Sequence, residues 1–165
     1  TPGIMDVRGL DHNQYASFVE TARILERAGC LEIRLKVHPG AYHTEYFEKI
    51  AAAFGLSCTV YKDEAFSDLV AWADFVVGPA YSGALSETLT LRKPYFALAL
   101  PPHSFDPAFL MALGAIQDLD SLEQALRERS MPDWAAIEQE LFSVNEISDS
   151  GASIWGAFFG SSIGA

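Results

Sequence analysis

The sequence predicts an α/β domain in which a parallel sheet is covered by helices on both faces, a three-layer arrangement. Short apolar patterns typical of strands alternate along the chain with longer stretches of helical periodicity. Glycine or proline stands at most of the boundaries between these segments. The chain has 165 residues, half of them apolar, which is enough for one domain with a substantial core.

The first part of the chain is expected to hold an entering segment followed by two helices. Residues 1–10 resemble a linker. A helix is predicted from about residue 13 to residue 28, with Asp11 as its N-cap and Gly29 as its stop signal. The second helix is predicted over 44–54.

Between these two helices, residues 31–38 alternate strictly between apolar and polar side chains. Such alternation predicts a half-buried strand, ended by Pro39-Gly40, with one face toward solvent, a cleft or a polar partner. The face predicted to be buried comprises Leu31, Ile33, Leu35 and Val37, and the polar face comprises Glu32, Arg34, Lys36 and His38.

The rest of the chain continues the alternation of strands and helices. Strands are predicted at 57–61, 75–77 and 95–100, with a last short one at 115–118. Helices are predicted at 66–73, from Ser82 onward, at 107–113, from Asp120 or Ser121 to 129, and at about 133–144. Residues 1–147 are therefore expected to form the domain, and 148–165 a tail or a helix that packs on a missing domain.

Charge and composition exclude several classes of partner. The net charge of −11 argues against nucleic acid and against anionic membrane surfaces, so any phosphate site must be local. The two cysteines lack metal-ligand spacing and are expected to be buried thiols in a reducing compartment. With no signal peptide and no apolar run of membrane-spanning length, we expect a cytoplasmic protein whose membrane association, if any, involves other regions. The start at Thr1 without methionine suggests a domain of a longer protein.

Three turns are expected to meet at the carboxyl ends of the parallel strands, where α/β sheets bind ligands. They cover residues 38–40, 78–83 and 101–105. The second of these leads into a helix whose first turn has N–H groups without intrahelical partners, and this favours an anion. Ser82 is its predicted N-cap, and Gly83 allows close approach to the backbone. An ordinary βαβ unit with a capping serine explains the same residues equally well.

Side chains next to these turns are candidates for binding a nucleotide. His38 ends its strand beside Lys36 and can hydrogen-bond a base or ribose, or meet a phosphate when protonated. Glu87 lies on the second turn of the helix that Ser82 caps, where a carboxylate can accept hydrogen bonds from both hydroxyls of a ribose. An exposed histidine and a solvated glutamate are the alternative interpretations. The sequence contains no metal-ligand cluster, Walker loop, GxGxxG motif or nucleophile elbow.

Two motifs resemble a known enzyme family. KVHPG (36–40) and GPAYSGALSETLTLRKPYF (78–96) look like the C-terminal, donor-binding half of two-domain GT-B glycosyltransferases. The closest resemblance is to bacterial transferases that use cytidine nucleotides, namely capsule sialyl- and Kdo-transferases with a His-Pro and a Ser-Ser or Ser-Thr motif, and the glycerol-phosphate polymerases of teichoic acid synthesis. The resemblance covers residues 31–100 and implies a Rossmann-like three-layer domain, one half of a GT-B fold.

The resemblance also implies roles for individual residues. His38 would contact the cytidine monophosphate portion of the donor, and Lys36, Pro39 and Gly40 beside it would also bind the nucleotide. Tyr81-Ser82 stands where the family has its serine pair, so Ser82 and the Gly83 amide would bind phosphate, and Glu87 would bind ribose. His38 and Ser82 would be the residues that take part in catalysis. Two positions depart from the pattern, because Tyr81 replaces the first serine and Pro79 replaces an acid found in some retaining enzymes.

The function implied is that of an inverting glycosyltransferase that builds a cell-surface polysaccharide from CMP-activated Kdo or sialic acid. Its partners would be the nucleotide-sugar, a glycan acceptor and a missing N-terminal acceptor domain, with no metal or other cofactor. The isolated domain would then be inactive. A GT-B-like sugar-nucleotide epimerase, a glycerol-phosphate polymer transferase and a non-catalytic nucleotide-binding domain stay open as alternatives, as do the linkage, the acceptor, the catalytic base and the oligomeric state.

Overall fold

The computed structural model describes residues 2–7, 12–38, 44–101, 104–130, 132, 133, 135 and 137. The chain divides into two compact units, Thr1–Pro132 and Asp133–Ala165, and the first unit is of mixed α/β structure. Its elements are β1 (Pro2–Val7), α1 (His12–Arg27), β2 (Glu32–Val37), α2 (Thr44–Phe54), β3 (Cys58–Tyr61), α3 (Phe66–Trp72), β4 (Phe75–Pro79), α4 (Gly83–Thr90), β5 (Tyr95–Leu98), α5 (Pro107–Ala112) and α6 (Leu119–Arg127).

Five strands pair in parallel in the order β3-β2-β1-β4-β5. The central strand, β1, pairs with β2 along its whole length, from Pro2↔Glu32 to Val7↔Val37, and with β4 around Met5↔Val77. The prediction that residues 1–10 are a linker is therefore wrong. Proline and glycine at the start of β1 weaken the local strand signal, and two flanking strands override it by hydrogen-bonding both of its edges.

Helix α1 covers the apolar face of β2, as the periodicity predicts. Gly29, at a φ of 88°, ends the helix, and the amide of Cys30 donates to the Leu25 carbonyl at 3.0 Å. One cluster of buried side chains joins α1, β2 and α2, and consists of Phe18, Val19, Ala22, Leu35, Val37, Phe47 and Ala51. A second cluster joins α1 and α6 to three strands, and includes Ile24, Leu25, Ile33, Phe75, Val77, Phe96, Leu122 and Leu126.

The polar side of β2 is exposed at Glu32 and His38, and between them it meets partners, as the alternation allows. The Arg34 guanidinium lies 3.7 Å from the ring centroid of Trp72 in α3, and Lys36 is only 8% exposed. At the start of the strand, Leu31 is 85% exposed because β2 begins one residue later, at Glu32. Arg34 and Lys36 are covered because β2 is an interior strand. Helix α3 covers the side that an isolated amphipathic strand would leave in water.

Several element boundaries follow the sequence, and others shift by a few residues. Helix α4 begins directly after Ser82 and α5 directly after Asp106, both as predicted. The strand expected at 115–118 is reduced to a single bridge between Leu98 and Ile116. Helix α6 begins at Leu119 because the Asp118 carboxylate accepts a 2.7 Å hydrogen bond from the Ser121 amide, which moves the N-cap ahead of the predicted start.

In the second compact unit the described residues 135 and 137 are helical, and both lie within the helix predicted at about 133–144. The tail expected at 148–165 lies outside the described residues, as do Asp11, Pro39 and Gly40. Among the helices that the structure describes, none combines the length and the hydropathy needed to cross a bilayer.

Deleting residues 2–7 tests the central position of β1. We expect the shortened chain to lose cooperative thermal unfolding, because β2 and β4 would each expose a row of unpaired backbone groups in the middle of the sheet. Circular dichroism during heating measures this. A shortened chain that melts at the temperature of the full chain contradicts the assignment of β1 as the centre of the sheet.

Candidate functional site

The strand order places the candidate residues at one edge of the sheet. From β1 the chain adds β2 and then β3 on one side of the sheet. It then crosses back and adds β4 and β5 on the other side of β1, so the direction of winding changes between β1 and β4. Ligands bind at the carboxyl ends of the strands at such a point. Ser82 follows β4 and His38 follows β2, the two neighbours of β1. Since adjacent strands lie about 4.8 Å apart, β2 and β4 are separated by roughly 10 Å across β1.

The turn between β4 and α4 is fixed by contacts from β5. The Ala80 amide donates to the Leu98 carbonyl at 2.7 Å, and the Tyr95 hydroxyl donates to the Pro79 carbonyl at 2.9 Å. Tyr95 is fully buried, so that its hydroxyl reaches the turn from within the core. These bonds hold the chain rigid just before the N-terminus of α4.

Ser82 is the N-cap of α4. Its Oγ accepts a 3.1 Å hydrogen bond from the Ala84 amide, and its backbone is extended, with φ −151° and ψ 143°. The Leu85 amide donates to the Ser82 carbonyl at 3.0 Å, which leaves the Gly83 amide as the first-turn donor at the helix N-terminus, where the helix dipole favours an anion. A serine hydroxyl can both accept and donate hydrogen bonds, so an N-cap serine is compatible with an anion site. Ser82 itself is buried, with 7% of its surface exposed.

Glu87 is exposed on α4, on the face that carries Gly83. Residues four apart are neighbours on a helix, and helical side chains lean toward the N-terminus. The carboxylate thus extends toward the first turn. The nearby hydroxyls bond to their own helix, Ser86 to the Gly83 carbonyl at 2.9 Å and Thr88 to the Ala84 carbonyl at 2.6 Å. Glu87 is placed to accept hydrogen bonds from hydroxyls of a ligand bound at that turn.

At the end of β2, His38 is exposed and Lys36 is buried. The Lys36 ammonium group donates to the backbone carbonyl of Lys62, the first residue after β3. This bond ties the β3–α3 loop to β2 and brings a second lysine to the same edge of the sheet. Sequence reasoning missed Lys62, although its position directly after a predicted strand is the same signal that selects His38.

The N-terminus of α2 lies at this edge as well, because the helix follows β2. The Thr44 Oγ1 atom there is buried and has no hydrogen-bond partner among the residues that the structure describes. The predicted contacts Pro39 and Gly40 belong to the intervening segment outside those residues.

Two aromatic side chains stand beside Ser82. Tyr81 is 49% exposed, and its ring centroid lies 6.0 Å from that of Phe105, with an angle of 31° between the rings. Phe105 belongs to the loop after β5, and its ring centroid lies 6.4 Å from that of Phe109. The sequence placed Tyr81 at the site but did not single out Phe105, whose approach depends on the neighbouring positions of β4 and β5.

Thiol chemistry and metal binding find no support in the described part of the chain. Burial raises the pKa of Cys58 to about 12 and also raises the pKa of Cys30, so neither is a thiolate at neutral pH. No three described His, Cys, Asp or Glu side chains come together as a metal site. Glu123 of α6 is bound to Arg27 of α1 at 2.6 Å and also to Arg127 of its own helix.

No protein-family model matches the sequence, and a comparison with curated proteins finds no significant similarity. The functional interpretation therefore depends on the geometry of the site and on its motifs.

Replacing Tyr95 with phenylalanine tests how the turn before Ser82 is held. The Tyr95→Phe change removes the hydroxyl that binds the Pro79 carbonyl and should lower the free energy of unfolding by about 1 kcal/mol. Tyr61→Phe is the matched control, since Tyr61 lies in β3, away from this turn, and should leave stability nearly unchanged. Equal denaturation midpoints for Tyr95→Phe and the unaltered chain would show that the bond does not stabilise the turn.

Proposed function

We propose that this chain is the donor-binding domain of an inverting GT-B glycosyltransferase that uses a CMP-activated acid sugar, Kdo or sialic acid, in bacterial cell-surface polysaccharide synthesis. The observation that carries the proposal is the N-terminus of α4, capped by Ser82, at the point between β1 and β4 where the winding changes, with His38 across β1 at the same edge.

The proposal includes a Rossmann-like three-layer domain. The strand order β3-β2-β1-β4-β5 agrees with five of the strands of the doubly wound dinucleotide-binding order. Successive residues of β2 point to opposite faces of the sheet, and helices contact both sets. Helix α1 packs on Ile33 and Leu35, while Trp72 of α3 stacks on Arg34. This arrangement supports one half of a GT-B fold, and the acceptor-binding half would be a separate N-terminal domain.

The chemistry assigned to the site is stabilisation of the leaving group. An acceptor hydroxyl attacks the anomeric carbon of the sugar, the new C–O bond forms on the opposite face, and the bond to the phosphate oxygen breaks. The CMP phosphate that departs would accept hydrogen bonds from Ser82 and from the Gly83 amide at the N-terminus of α4. The acceptor's proton would go to a base in the missing domain, so the isolated domain would bind its donor without turnover.

The remaining residues would orient the nucleotide. Glu87 would accept hydrogen bonds from the ribose hydroxyls. The ribose would then lie between the Glu87 carboxylate and the phosphate and keep the two negative charges apart. His38 would contact the nucleotide from the end of β2, and Pro39 and Gly40, which follow it, would line that side. Lys36 would act through Lys62, whose backbone it binds. The chain is strongly acidic, with a net charge of −11, so these local donors would have to attract a dianionic ligand against the overall charge.

The proposal places the domain in the cytoplasm. Its two cysteines are both free thiols, in keeping with a reducing compartment.

Nucleotide titrations test the choice of donor. Calorimetry of the chain with CMP, CDP, UDP and GDP should give the tightest binding for a cytidine nucleotide. If UDP binds at least as tightly as CMP, the cytidine assignment is wrong while a GT-B donor domain remains possible.

Three substitutions test the roles of the residues. Ser82→Ala should weaken CMP binding by about 1.5–3 kcal/mol through a lost bond to charged phosphate, and affect cytidine much less. Glu87→Gln should weaken CMP and cytidine alike, by about 0.5–1.5 kcal/mol, through the ribose hydroxyls. His38→Ala should reduce the affinity for CMP. None of the three should prevent folding, although Ser82→Ala also loses a cap worth about 1 kcal/mol.

Matched controls separate binding from stability. Asp118→Ala removes the N-cap of α6 and should lower the melting temperature as Ser82→Ala does, with no loss of CMP affinity. Asp74→Asn neutralises an exposed acid directly before β4, at the opposite edge of the sheet, and should leave both measurements unchanged. If Ser82→Ala behaves like Asp118→Ala, then Ser82 is only a helix cap and the proposed phosphate site is absent.

A further inference from the structure

Tyr81 and Phe105 form an aromatic surface next to the N-terminus of α4. Tyr81 exposes 49% of its surface, and the two rings are tilted by 31° with their centroids 6.0 Å apart. The ring centroid of Phe109 lies 6.4 Å from that of Phe105, with an angle of 48° between the rings. The Phe105 ring thus contacts two other rings, one of which is the exposed tyrosine that directly precedes Ser82.

The position of these rings relative to Ser82 and His38 indicates which part of a ligand they would meet. A phosphate at Ser82 lies at the end of β4, and a nucleoside that reaches His38 must extend across β1 toward β2. The second substituent of the phosphate then extends the opposite way, toward β5. Phe105 follows β5, and Tyr81 lies in the turn between Pro79 and Ser82 that β5 holds in place.

We propose that the Tyr81–Phe105 pair binds the sugar ring of the donor, with the apolar C–H face of the pyranose packed on the exposed face of Tyr81. This inference depends on the proposed function, because it requires the phosphate at Ser82. Aromatic faces carry a partial negative charge that attracts the weakly positive C–H groups of a sugar ring, and a tyrosine loses little conformational freedom on binding. The same contact explains why an aromatic residue suits position 81, where the resembling family has a serine.

Comparing CMP with CMP-N-acetylneuraminate on the same variants tests this assignment. In calorimetry the full chain should bind the sugar nucleotide more tightly than CMP. Tyr81→Ala should weaken binding of the sugar nucleotide by about two- to tenfold, the range for an aromatic contact, and leave CMP binding unchanged. Tyr81→Phe keeps the ring and should preserve the affinity for both ligands. Phe105→Leu should give a smaller loss, confined to the sugar nucleotide.

Phe54→Ala is the control for removing an exposed aromatic ring. Phe54 is 52% exposed at the last residue of α2, at the end remote from the carboxyl edge of the sheet, so both affinities should be unchanged. Equal losses for CMP and the sugar nucleotide in Tyr81→Ala would show that the ring stacks on the base, and unchanged affinities would show that it binds neither; both outcomes overturn the inference. If the unaltered chain does not bind CMP, the proposed function fails first.

Discussion

The pairing of β1 with β2 on one side and with β4 on the other is the constraint on which the rest of the structure depends. It makes β1 the centre of the sheet and separates His38 from Ser82 by the width of a single strand. Without it, β2-β3 and β4-β5 would be two separate parallel pairs, each with an exposed edge. The change of winding beside β1 also creates the position at which the N-terminus of α4 meets the carboxyl edge of the sheet.

Ser82 caps α4 and is, in the proposed function, also the residue that binds phosphate. Its Oγ accepts a hydrogen bond from the Ala84 amide, which is the ordinary work of an N-cap. The turn before it is held by Tyr95 and by the Leu98 carbonyl, so that little conformational freedom would remain to be lost when an anion binds. A cap on a rigid turn is for this reason better suited to binding phosphate than a cap on a mobile loop.

The site concentrates favourable electrostatics within an acidic chain. The net charge of −11 repels anions at long range, and this repulsion is screened at physiological ionic strength beyond about 8 Å. At short range, the N-terminus of α4 presents its dipole to a bound anion. Lys36 contributes through its bond to the Lys62 carbonyl, which fixes the loop that carries the second lysine. Such an arrangement favours affinity that arises from contacts rather than from long-range attraction.

Local chemistry in the sequence determined most of the helices and strands and selected the candidate residues His38, Ser82 and Glu87. Alternating hydrophobicity, glycine stop signals and capping residues fixed α1, α2, the start of α4 and the Asp106-Pro107 start of α5, because each depends on residues close together in the chain. Only the tertiary structure decided that residues 2–7 form the central strand, that Lys36 is buried, and that Lys62 and Phe105 reach the candidate site. Each of these depends on partners distant in sequence, and pairing between strands leaves little trace in the local pattern of a short segment.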